Sequence, residues 1–144
     1  MTAVRSKGIM IAAVFLLAAA PAWAVSISPG TPITATSGNV AAATATATLA
    51  AVSNQTTYIT GFEITGTGAT AGLPVICTVT GVVGGPLSYI YSAAAGVLVE
   101  NTPLIVQYNP PIPATAVNVT IVVSCPTLGS GNTNNTVNAQ GFQN

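Results

Sequence analysis

Apolar and polar positions alternate along most of the chain. Over residues 117–125 the odd positions are Val117, Val119, Ile121, Val123 and Cys125, and the even ones are Asn118, Thr120, Val122 and Ser124. A period of two built on β-branched residues predicts a strand with one buried face, and Cys125 falls on that face. Residues 75–83 read the same way, with Val75, Cys77 and Val79 inward. In residues 43–52, Thr44, Thr46 and Thr48 alternate with Ala45, Ala47 and Leu49. Three branched threonines so close together favour a strand over a helix. Residues 57–65 place Tyr58, Thr60, Phe62 and Ile64 on one face and Ile59, Gly61, Glu63 and Thr65 on the other.

Turn signals separate these runs. Gly84-Gly85 permits a tight hairpin, because glycine accepts positive φ without a steric cost, and Leu87, Tyr89 and Tyr91 then line one side of the returning strand. Residues 97–100 predict a brief strand and 104–108 another. Pro110, Pro111 and Pro113 should end the latter, since proline lacks the donor a central ladder needs. Residues 136–142 predict a last strand. Residues 25–43 contain Pro29, Gly30 and Pro32 and read as a flexible N-terminal arm ahead of a single domain over 44–144. Seven or eight strands at intervals of about 8–12 residues define an all-β class, an antiparallel β-sandwich or jelly-roll-like fold.

The first 24 residues follow another grammar. Arg5 and Lys7 precede an apolar run over residues 8–20, Pro21 breaks it, and Ala22-Trp23-Ala24 supplies the small residues a signal peptidase reads. This is the pattern of a cleavable secretory signal, with cleavage between Ala24 and Val25. The run falls short of the roughly 20 residues of a comfortable membrane span. Export changes the reading of the two cysteines. In an oxidising compartment Cys77 and Cys125 read as one disulfide, which in the chain-entropy model stabilises the fold by roughly 4 kcal/mol. The other reading is a pair of buried thiols acting as small hydrophobes.

Charge narrows the chemistry. The chain holds two basic and two acidic side chains and no histidine, and both basic ones lie in the signal, leaving Glu63 and Glu100. General acid–base catalysis draws on His, Asp, Glu or Lys, and a serine or threonine nucleophile needs a base beside it. Two glutamates and two cysteines make no metal cluster. Gly66-Thr67-Gly68 and Gly129-Ser130-Gly131 complete no phosphate-binding loop. Phosphates would meet no cation, which argues against nucleic acid. The expectation is therefore a protein that is not an enzyme, with no catalytic, cofactor-binding or metal residues. Glu63 and Glu100 read as two solvated acids, the other reading being a glycosidase pair. Tyr89 and Tyr91, two apart on one face, make either a core stripe or an interaction platform for a partner or glycan. The Thr44, Thr46, Thr48 ladder reads as a polar outer face, or as an ice-binding array. A surface with so little charge does little to oppose association.

The segment Thr57-Tyr58-Ile59-Thr60-Gly61-Phe62-Glu63-Ile64-Thr65-Gly66 carries a resemblance. So do Thr102-Pro103-Leu104-Ile105-Val106, Pro111-Ile112-Pro113-Ala114, Gly131-Asn132-Thr133-Asn134 and Val137-Asn138-Ala139-Gln140-Gly141-Phe142. Together they resemble a group of short all-β bacterial proteins associated with prophage-like structural gene clusters. The similarity covers about residues 43–142 and implies no defined activity and no functional residues. The secretory signal and the two cysteines depart from that group and point to export, to the bacterial periplasm, cell surface or exterior. The expected function is that of a non-enzymatic exported structural or surface-interaction protein that forms a homo-oligomer or decorates a larger assembly. The alternatives are a phage-type capsid or tail decoration protein, and a module binding a neutral ligand such as a glycan.

Overall fold

The computed structural model describes residues 30–96 and 101–144. The secretory signal with its Ala24–Val25 junction, the start of the expected arm, and the expected strand over 97–100 with Glu100 lie outside these residues.

The described chain forms eight strands: β1 (Thr31–Thr36), β2 (Ala45–Leu49), β3 (Thr57–Thr67), β4 (Val75–Thr80), β5 (Leu87–Tyr91), β6 (Leu104–Pro113), β7 (Ile121–Cys125) and β8 (Asn134–Gln143). They make two four-stranded antiparallel sheets, in the orders β1-β8-β3-β6 and β2-β7-β4-β5. The first strand thus pairs with the eighth, the second with the seventh, the third with the sixth and the fourth with the fifth. This is one long hairpin rolled up into two facing layers, the eight-stranded jelly roll. The all-β sandwich expected from the alternation is therefore the observed fold.

The core lies between the inner faces. One sheet contributes Ala45, Ala47, Leu49, Val75, Val79, Ile121 and Val123, and the other Ile59, Phe62, Ile64, Val137 and Ala139. Cys77 and Cys125 also face inward and are fully buried. They stand opposite each other on neighbouring strands, beside the Thr78–Ser124 pair, with sulfurs 1.99 Å apart and Cα atoms 4.2 Å apart. The disulfide therefore ties β4 to β7 within one sheet.

Four local expectations change. Residues 31–36 of the expected flexible arm form an edge strand on β8, with Thr31 opposite Gln143 and Thr36 opposite Asn138. Pro32 does not prevent it, because an edge strand leaves one row of backbone donors unpaired anyway. The three prolines do not end β6 for the same reason. Its ladder with β3 skips Tyr108, Asn109, Pro110 and Pro111 and resumes at Ile112 and Pro113. The nine-residue strand expected over 117–125 begins only at Ile121. Asn118 has φ of 62°, which breaks the extended run, and Val117 is exposed.

The fourth change concerns β3. Its register shifts between Ile59 and Gly61 against both neighbours. This bulge lets Ile59 and Phe62, three residues apart, both point inward. Tyr58 consequently faces out, not in with Phe62. Its ring stacks on that of Phe142 at 4.7 Å and 7°.

Candidate functional site

Tyr89 and Tyr91 face the core, so they form the core stripe and not an interaction platform. Tyr91 is only 6% exposed. Tyr89 is half-buried, with its ring edge-on to Phe62 at 5.1 Å and its hydroxyl 2.9 Å from that of Tyr108. Burial, and then the adjoining Tyr89 hydroxyl, push the Tyr108 phenol well above its ordinary value, and burial raises Tyr91 as well.

Many amide side chains serve the fold. Asn135, fully buried, donates to the carbonyls of Ala43, Cys125 and Pro126 and fastens the start of β8 to the β7 end. Asn132 donates to Thr67 and Asn134. Gln143 donates to Ala50 at 2.6 Å. Asn101 donates to Gly66 and accepts from the Ala94 amide.

Among the described residues, the outer face of β2-β7-β4-β5 bears no charged side chain. The register sets Thr46, Ser124, Thr78 and Ser88 in one row and Thr48, Val122 and Thr80 in the next. Ile76 stands opposite Ile90, and the two are 59% and 76% exposed. Thr44 precedes β2, so the threonine ladder within the strand is Thr46 and Thr48.

The outer face of β1-β8-β3-β6 is different. Pro32, Phe142, Tyr58 and Pro113 form one row. Thr34, Gln140, Gly61 and Gln107 form the next, followed by Thr36, Asn138, Glu63 and Ile105. These two rows enclose a cleft of about 350 Å3. Gly61 stands in register between Gln140 and Gln107. A Cβ there would come within 2.6 Å of the Val106 carbonyl oxygen and 2.9 Å of Gln107 Oε1. Among the described residues Glu63 is the only charged side chain. Among them, too, Glu63, Gln107, Asn138 and Gln140 make no side-chain hydrogen bond to one another or to the rest of the fold.

Sequence reasoning singled out Glu63 but not Gln107, Asn138 or Gln140. Alternation in the tail, with Val137 and Ala139 apolar, already marks Asn138 and Gln140 as outward. What brings them to Glu63 is pairing between strands far apart in sequence, which no local pattern contains. Glu100, the other half of the conceivable carboxylate pair, lies outside the described residues. Among the described residues no three His, Cys, Asp or Glu side chains group as a metal site would require, and no helix is long and apolar enough to cross a membrane.

Comparison with protein-family models, with curated proteins and with solved structures found no match.

Proposed function

We propose that this protein is a non-enzymatic structural subunit, exported from a bacterial cell, that associates with further copies of itself. The observation that carries this reading is the outer face of β2-β7-β4-β5, which sets Ile76 and Ile90 side by side in a field of Thr, Ser and Val with no charged side chain among the described residues. A second copy can approach that face without like-charge repulsion or the desolvation of ions. The secretory signal pattern and the disulfide-distance cysteine pair support export. The jelly roll supports the reading only by analogy, since capsid proteins and lectins share it. The resemblance to prophage-associated structural proteins supports decoration of a larger assembly as the second form of the same reading.

The test is light scattering on the size-fractionated wild type and on Ile76→Lys/Ile90→Lys. Both positions face solvent within the single chain, so the variant should keep the wild-type far-UV circular dichroism and unfold cooperatively. Burying two isoleucines is worth about 1.5–3 kcal/mol each, so their replacement should weaken association by at least about 100-fold. A wild type that is monomeric at every accessible concentration contradicts the proposal, and so does a double variant with unchanged oligomeric mass.

A further inference from the structure

The cleft over β3 brings together a carboxylate and three amides whose side chains are uncommitted. Glu63, Asn138, Gln140 and Gln107 come from three strands, β3, β8 and β6, and Thr34 borders them on β1. The contrast with other amides of the fold is informative. Asn101, Asn132, Asn135 and Gln143 are each spent on backbone carbonyls, whereas the three at the cleft are not. Beside the cleft, β3 bulges between Ile59 and Gly61. Gly61 carries no side chain there, and the Gln107 amide lies against it.

The chemistry of the lining selects among ligands. A phosphate or carboxylate would meet Glu63 and no cation. A metal ion would find one carboxylate and, among the described residues, no cluster of ligating side chains. A hydroxyl-rich neutral ligand fits. Each sugar hydroxyl both donates and accepts, each amide does the same, and Glu63 accepts from two adjacent hydroxyls through its two oxygens. Ile105, 58% exposed at the rim, offers an apolar contact for the C–H face of a ring. The volume of about 350 Å3 suits a short stretch of such a ligand, at the lower end of the roughly 300–1,000 Å3 typical of small-molecule sites.

We infer that the cleft formed by Glu63, Gln107, Asn138 and Gln140 binds a neutral glycan. The inference rests on the β1-β8-β3-β6 face and is independent of self-association through the other sheet.

Backbone amide shifts of the 15N-labelled protein test it, with hexasaccharides of β-1,4-linked glucose, β-1,4-linked N-acetylglucosamine and α-1,4-linked glucose as probes. Binding of at least one should shift amides of β3, β6 and β8 around the cleft, with Kd of roughly millimolar or tighter. Glu63→Gln and Asn138→Ala, each with an unchanged melting temperature, should weaken it by about tenfold. The absence of shifts with all three probes at about 10 mM, several times a millimolar Kd, overturns the inference. So do shifts confined to other surfaces. A lysine- or arginine-containing tetrapeptide that shifts the cleft amides while the sugars do not also overturns it, and would reassign Glu63 to a cationic partner.

Discussion

At the scale of single residues, Phe62 is where the interior converges. It is 2% exposed and meets Tyr89 edge-on and Tyr108 at 6.3 Å. Phe62→Ala removes a ring whose cavity the rigid sheets cannot close, and should cost about 3–5 kcal/mol in urea unfolding. The disulfide is a separate term. Cys77 and Cys125 enclose a sequence separation of 48, so Cys77→Ala/Cys125→Ala should lose roughly 4 kcal/mol in the same assay. The tyrosines set a pH dependence. Tyr108 and Tyr91 have phenols raised above the ordinary 10.0 by burial, with the Tyr89 hydroxyl adding to the effect at Tyr108. The unfolded chain then releases these protons first. Their contribution to stability is complete below pH 10 and is lost as pH rises beyond it towards the folded-state values. Urea midpoints should therefore fall on the alkaline side, and Tyr108→Phe should flatten that fall.

At the scale of elements, what was legible depended on whether a signal was local. The buried faces of β2, β4, β5 and β7 follow from alternation within each strand, and so did the inward cysteines. The bulge in β3 was not legible. Ile59 and Phe62 both read as apolar, and only pairing with β6 and β8 decides that both turn inward while Tyr58 turns out. The same limit hid the cleft, whose side chains meet through three long-range pairings. β1 was missed because proline, glycine and threonine make a weak strand signal on their own, and β8 supplies the missing order. Hydrogen exchange tests β1 directly. Amides of residues 31–36 that bond to β8 should be protected, less than those of the central strands β3 and β8, whereas a free arm would exchange at the rate of an unfolded peptide. Gly61→Ala tests the bulge. Its Cβ would press on the Val106 carbonyl, and the variant should lose about 1–3 kcal/mol, read from its urea midpoint.

At the scale of the molecule, a rolled hairpin of eight strands presents two outer faces of contrasting chemistry. One has no charged side chain among the described residues and carries paired isoleucines. The other carries Glu63 among amides. With no cationic side chain among the described residues, attraction between copies through the described surface has no side-chain ion pair to draw on. Association should consequently be insensitive to sodium chloride between low and physiological ionic strength in sedimentation velocity, where an interface of ion pairs would weaken as salt is added. Composition foretold this surface, since it is a property of residue counts and not of pairing. The contrast between the two faces was legible only once the strands were in register. The proposed role is that of an exported subunit that assembles with itself. Its most direct test is native mass spectrometry of the secreted, non-reduced protein, with intact-mass analysis alongside. A chain beginning at Val25, lighter by two hydrogens than the reduced sequence and found as a defined oligomer, is the result predicted. A reduced monomer that retains residues 1–24 would contradict it.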